Sequence, residues 1–460
     1  MLNFWDFDVW GWILLFASLL GSLLAGNALK KGIPFLRDSL IPTSVIGGLI
    51  ILVVAAIYKA ITGNVLFDTA AFNYSGTNNL EIITYHALAL GFIASSFKTT
   101  GGKLTKQRSA EIFNTGVSTV STYLIQGIFG LGITLLASLV ITGFYPAAGV
   151  LLPFGYGQGT GQALNYGMIY EADGLVGGKS FGLTIAALGF LSASIGGVIH
   201  LNLMKRKGKL KLSNRTDGST HTEKVEDPGE IPLQESMDKM TVQIALIVVA
   251  YVAAYLLMYV LGNLLPGMRS VIYGFNFLLG VLTATLIKIS MNFLRRKGII
   301  TKKYNNNFLM TRASNFFFDL MVVAGVAAIR LDILENYWGI IIILGVVGAI
   351  ITYIYNRIIA KLLFPDYVEE QFLMMYGMLT GTASTGIILL REIDGEFRTP
   401  ASDNMVYQNF PAIVFGFPMM FLATLAPSKP ILTLIIFVLF FTVMNLILFR
   451  SMIFKSKKKQ

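Results

Sequence analysis

The feature that most constrains this chain is its series of apolar runs, each about 20 residues long, the length a helix needs to cross the hydrocarbon core of a bilayer. Ile431 to Phe449 is the plainest of them, apolar on nearly every face. A bilayer offers no water to unpaired backbone groups, so only helices or a closed barrel span it. A barrel strand alternates apolar and polar residues with period two, and these runs do not alternate, so they read as helices. Composition agrees: 13% of the 460 residues are charged, against about 25% in a soluble domain. The net charge of +11 belongs with the basic loops of a membrane protein, and no nucleic-acid partner is expected. The absence of cysteine excludes disulfides and thiolate chemistry, and three histidines make no zinc spacing. The N-terminus, MLNFWDFDVW, has no Lys or Arg ahead of its apolar run. A cleavable signal peptide needs that basic start, so the first run is expected to remain a span.

Length and apolarity give eleven spans, at about 9–29, 41–61, 80–97, 113–143, 178–204, 240–265, 271–294, 313–331, 336–363, 404–425 and 431–454. Basic residues gather in alternate loops: Lys30, Lys31 and Arg37; Lys98, Lys103, Lys106 and Arg108; Lys205 to Lys211; Arg295 to Lys303; Arg357 and Lys361; and the tail KSKKK. The positive-inside rule then places the N-terminus outside and the central loop and C-terminus in the cytoplasm. Residues 205–239, with SNRTDGSTHTEKVEDPGE among them, are too polar to bury a core and read as a flexible linker. The linker divides the chain into a first half, 1–204, and a second, 240–425, of five spans each, followed by an extra span and basic tail at 426–460. Five is odd, so the halves begin on opposite sides of the membrane. The expected fold is all-α and polytopic, with an inverted-topology repeat of five spans plus five.

Each half carries a Gly/Thr-rich segment after its long fourth span, at 146–171 and 370–393, too polar for an ordinary span. The first reads PFGYGQGTGQALNYG from Pro153, the second YGMLTGTASTGIILL from Tyr376. Non-helical backbone at membrane depth is tolerated only inside protein or beside a water-filled cavity. Two such segments at matching places in inverted halves point to a transport site. Helix N-termini there would favour a carboxylate, through free amides and the positive end of the dipole. Carbonyls and the hydroxyls of Thr160, Thr382, Ser384 and Thr385 are hard oxygen donors suited to sodium. The same glycines would also serve a close-packed helix crossing. Within the spans, Asp319 follows Asn315 by four residues and shares its helix face, a candidate cation site or a packing contact. Asn409, just before Pro411, is a third candidate. Gln126 and Asn276 read as hydrogen bonds between helices, Arg391 as an interfacial anchor, and His86 and His200 as structural.

This pair of segments, with its spacing and layout, resembles the bacterial sodium/glutamate symporter family. Gly157, Gly159, Thr160 and Gly161 match that family's Gly-Gly-His-Gly-Thr-Gly segment, with Tyr156 and Gln158 where Gly and His are usual. Gly381 and Thr385 match its Gly-Ala-Thr-Pro-Thr segment, with Thr382, Ala383 and Ser384 between them. IPTSVIGGL at Ile41–Leu49 and Gln126 in LIQGIFGLG extend the likeness over nearly the whole chain. The family plan has ten spans, so the eleventh departs from it. The resemblance implies a sodium-coupled symporter that imports glutamate or a similar acidic amino acid by alternating access, in a bacterial plasma membrane, as a homodimer. It implies substrate contacts at Gly157, Gln158, Gly159, Thr160, Gly161, Gly381, Thr382, Ala383, Ser384 and Thr385. Together with the polar residues within the spans, the expected sodium contacts are Asp319, Asn315, Thr160, Thr382 and Asn409. No cofactor is expected beyond the coupling sodium ion. A sodium symporter for a di- or tricarboxylate such as citrate or malate is the alternative. No GxxxxGK[ST] occurs, which argues against ATP-driven pumping. A lone Asp319 gives no catalytic pair for an intramembrane enzyme. A channel would need a pore ring made by oligomerisation.

Overall fold

Among the described residues 83% are helical. The computed structural model describes residues 3–98, 105–208, 230, 237–395, 398–450 and 452, and no strand occurs among them. Sixteen helices carry the argument, in chain order: α1 Phe7–Gly32, α2 Thr43–Thr62, α3 Gly76–Phe97, α4 Lys106–Val140, α5 Leu151–Gln158, α6 Thr160–Ala172, α7 Gly178–Arg206, α8 Lys239–Leu264, α9 Asn276–Arg296, α10 Asn307–Ala327, α11 Trp338–Leu363, α12 Val368–Thr380, α13 Ala383–Arg391, α14 Ala401–Tyr407, α15 Asn409–Ala423 and α16 Pro430–Leu448. Among the described residues ten helices are long and apolar enough to cross a membrane, as in a multi-pass membrane protein. An eleventh is counted if α14 and α15, bent by 51° at Gln408, form one span. The run expected at 404–425 is therefore two helices. The tail KSKKK, Lys103, Lys209, Lys211 and most of the central linker lie outside the described residues.

Local chemistry sets several helix ends. The Thr105 hydroxyl accepts from the Arg108 amide at 3.2 Å and opens α4. The Asp238 carboxylate accepts from the Thr241 amide at 3.0 Å and opens α8. Each satisfies an amide that a helix N-terminus leaves without an intrahelical partner.

The helices form two compact units, and the units do not follow the sequence halves. The first is built from residues 1–78, 104–215 and 325–460, the second from 79–103 and 216–324. In the second unit α3 packs with α8, α9 and most of α10 around Ile93, Phe97, Ile247, Ala250, Ala284 and Met310. Asn276 donates to the Tyr85 carbonyl at 3.0 Å and His86 bonds to the Tyr251 hydroxyl at 2.7 Å, so both act between helices. Glu230, inside the segment expected to be a free linker, is buried in this unit. Its carboxylate pairs with Lys239 at 3.0 Å and Lys303 at 3.1 Å. Two ammonium groups offset the cost of burying it.

The first unit holds the long helix α4, the two Gly/Thr-rich segments, α7, α11 and α14–α16, together with α1 and α2. The backbones of α1 and α2 come close where small residues meet: a methyl on Gly47 would lie 3.0 Å from the Ser22 carbonyl oxygen. Its core includes Leu40, Leu201, Ala360, Phe372, Tyr376 and Leu389. The last span, α16, is tied in by a closed triangle of hydrogen bonds. Ser121 and Tyr355 share one at 2.6 Å, Tyr355 donates to Asn445 at 2.9 Å, and Asn445 donates to Ser121 at 3.0 Å.

Candidate functional site

Each Gly/Thr-rich segment is a pair of short helices folded back on itself. In the first, the rings of Phe154 on α5 and Tyr166 on α6 stack with centroids 3.6 Å apart and planes within 9°. Residues twelve apart on one continuous helix would sit about 18 Å apart, so the chain has reversed between them. It reverses at Gly159, whose φ of 79° and ψ of −171° suit glycine and strain any side chain. In the second segment α12 and α13 run antiparallel with glycines at the crossing. A methyl on Gly377 would lie 2.8 Å from Gly386 Cα, so no side chain fits between the arms there.

The roots of both pairs are held. The Thr134 hydroxyl donates to the Pro146 carbonyl at 2.6 Å and accepts from the Gly149 amide at 3.1 Å, just ahead of α5. Tyr166 and Tyr170 donate to the carbonyls of Met420 and Ala423 on α15 at 2.6 and 2.7 Å. At the root of α12, Glu369 takes a two-pronged contact from Arg357, at 2.7 and 2.6 Å, and pairs with His200 at 2.9 Å. His200, read from sequence as structural, has that role here: its other ring nitrogen bonds Tyr353 at 2.7 Å.

The two tips meet. A methyl built on Gly159 would lie 3.5 Å from Thr382 Cγ2 and 3.9 Å from the Gly381 carbonyl oxygen. At this point α6 begins after Gly159 and α13 begins after Thr382, and neither cap residue makes a side-chain cap hydrogen bond. The first amides of both helices therefore have no partner from the cap side chains, and two positive helix ends converge on one place. Gly157, Gly159, Thr160 and Gly161 are buried and Gln158 is half-buried; Gly381 and Thr385 are buried, Thr382 is half-buried and Ala383 is exposed. The Thr382 and Thr385 hydroxyls are 3.4 Å apart. Thr160 packs against the last turn of α10, where a methyl on Gly325 would lie 2.7 Å from Thr160 Cβ. The side chain of Ser384 lies outside the described residues.

The other sequence candidates lie elsewhere. Asn315 and Asp319 share the exposed face of α10 within the second unit. Asn409 is exposed, while its neighbours Asn404 and Gln408 are buried. Gln408 accepts from Thr119 at 2.8 Å, and Asn404 donates to Tyr367 at 2.9 Å and Gln371 at 3.1 Å. Among the described residues no group of three His, Asp or Glu could hold a metal ion.

Sequence reasoning missed the polar face of α4. Thr115, Thr119, Thr122 and Gln126 are all buried, and their spacing of three or four residues puts them on one side of the helix. Gln126 ends this stripe beside both tips. It donates to the Leu379 carbonyl at 2.9 Å and to the Thr352 hydroxyl at 2.8 Å. The signal was present as a polar repeat at helical period inside an apolar span. No protein-family model matches the chain, and no curated protein matches it.

Proposed function

We propose that this chain is a sodium-coupled secondary symporter for a small acidic amino acid such as glutamate, working by alternating access, with the two helix pairs as re-entrant hairpins of an inverted repeat. The observation that carries the reading is the meeting of the tips at Gly159 and Thr382. Two helix starts without side-chain caps lie next to each other there, and such ends bind a carboxylate without a dedicated Arg. Thr160, Thr382 and Thr385, with the tip carbonyls, supply the hard oxygens that sodium prefers. The Gly/Thr-rich segment at the matching place in each half supports the assignment of both segments to membrane depth, where irregular backbone needs a functional reason. In this reading the protein sits in a bacterial plasma membrane as a homodimer, and Asn315 and Asp319 are a separate candidate cation contact on α10.

The test is uptake of radiolabelled acidic amino acids and dicarboxylates into proteoliposomes, with and without an inward sodium gradient. Uptake of an acidic amino acid that collapses without the gradient is the expected result. In parallel, a single cysteine at Thr382 should be shielded from alkylation by sodium plus substrate. Absence of gradient-driven uptake for every acid tried, with no ligand protecting the cysteine, would remove the transport reading.

A further inference from the structure

We infer that Gln126 accepts the ammonium group of the substrate and so sets a preference for an amino acid over a plain carboxylate; the inference rests on the transport reading above. Gln126 is fully buried. Its amide orientation is fixed by its partners, because Nε2 donates to the carbonyl of Leu379 at 2.9 Å, and a backbone carbonyl has no proton to give. The nitrogen must face Leu379. That leaves Oε1 turned the other way, buried and without a hydrogen-bond partner among the described residues. A buried acceptor left unfilled is costly, and native structures rarely keep one without a reason.

The position of this atom gives the reason. Oε1 lies 3.2 Å from where a side chain on Gly157 would begin, two residues before the tip glycine of the first hairpin. The nitrogen of the same amide holds the carbonyl two residues before Gly381, the tip of the second. The amide of Gln126 therefore lies two residues from each tip, with the Tyr123 ring packed beside Oε1 against Gly157. The helix starts at Thr160 and Ala383 present N–H donors. A carboxylate needs only donors, and those amides supply them. An ammonium group has only donors and needs an acceptor, which Gln126 Oε1 provides. An amino acid satisfies both sets of groups at once. A dicarboxylate satisfies the amides and leaves Oε1 empty or facing another acceptor with no proton between them.

Full-length protein reconstituted in proteoliposomes tests this by sodium-driven uptake of labelled glutamate. The competitors are unlabelled glutamate and glutarate, the same diacid without the amino group. The wild type should favour glutamate by about 10- to 100-fold, the worth of a charge-assisted hydrogen bond. Gln126→Met should erase most of that preference by weakening glutamate far more than glutarate. Gln126→Glu, whose buried carboxyl when protonated donates to Leu379 and keeps an acceptor, should preserve it, as should Thr352→Val, which removes only a partner of the nitrogen. An equal fall for both competitors in Gln126→Met would overturn the inference, since Gln126 would then merely hold Leu379. So would an intact preference with altered sodium dependence, which would make Oε1 a sodium ligand. If Gln126→Met is not monodisperse, Gln126→Glu decides, and loss of the preference there overturns the inference. A wild type that takes up glutamate but does not favour it overturns the inference alone. A wild type with no sodium-driven uptake of any acid tried, and no ligand protection of a cysteine at Thr382, removes the transport reading, and this inference with it.

Discussion

At Gly159 the backbone and the proposed ligand impose separate demands. The positive φ with an extended ψ, a region essentially reserved for glycine, costs a side chain about 1–3 kcal/mol, while a methyl there meets Thr382 only at ordinary contact distance. Gly159→Ala should therefore fold and transport weakly, and Gly159→Val, which also fills the space between the tips, should abolish uptake in the same proteoliposome assay. Comparable expression of the two variants separates loss of the site from loss of the fold. Asp319 makes a different case. A carboxylate on an exposed helix face at membrane depth is costly unless that face meets water, an ion or a partner. Asp319→Asn should fold normally and raise the sodium concentration needed for half-maximal uptake several-fold; unchanged sodium dependence would reduce Asp319 to a packing residue. Outside the spans, Asp332 bonds to Arg330 at 3.0 and 2.9 Å and pairs with Lys59 at 2.5 Å. Chiefly the Arg330 guanidinium, and then Lys59, hold its carboxyl well below the usual range. A depressed folded-state pKa contributes stability above the unfolded value, about pH 4, and that stability is lost as pH falls through the folded one. The cluster is about one-third exposed, so solvent screening limits it to about 1 kcal/mol or less. Asp332→Asn should lower the melting temperature slightly at pH 7, and by progressively less as pH falls below about 4.

Helix ends and crossings decide the behaviour of the elements. The arms of the second hairpin touch at Gly377 and Gly386, where the neighbouring backbone leaves no room for a side chain. Gly386→Leu should splay α13 from α12 and lower thermal stability by an amount typical of overpacking, about 1–3 kcal/mol. The shift is measured by thermal unfolding in detergent. The triangle of Ser121, Tyr355 and Asn445 joins α16 to α4 and α11. Asn445→Leu should cost about 1–2 kcal/mol of stability, within the range for hydrogen bonds between membrane helices, while leaving substrate preference intact. A change in preference would connect the last span to the site. The break between α14 and α15 was partly legible, because Pro411 and Pro418 stand in an apolar run. The sequence did not show that the buried polar groups would be Asn404 and Gln408 rather than Asn409. Burial at the bend depends on how the two helices turn against α4 and α12, and neighbouring residues on a helix point about 100° apart.

For the molecule as a whole, topology is the property that basic residues report most directly. Because the chain has no native cysteine, single cysteines answer the question cleanly. Asn64→Cys, between α2 and α3, should react with an impermeant thiol reagent added to intact cells. Lys207→Cys, after α7, should react only once the membrane is opened. The reverse pattern would invert the proposed orientation. Ser213, the natural choice within the central linker, lies outside the described residues, but Lys207 at its edge reports the same side.

Taken alone, the chain determined its solvent and its secondary structure. Apolar runs of bilayer length leave helix as the way to satisfy the backbone, and paired Gly/Thr segments mark the places where helix must break. These are local properties, carried by composition and spacing along one stretch of chain. Tertiary structure alone decided which breaks meet. The approach of Gly159 to Thr382, the gathering of helices into units that ignore the sequence halves, and the burial of Glu230 between two lysines each depend on residues far apart in sequence. The same holds for the open oxygen of Gln126. A glutamine within a span announces a hydrogen bond, but which of its atoms is left unpartnered depends on where the carbonyl of Leu379, 253 residues away, comes to rest.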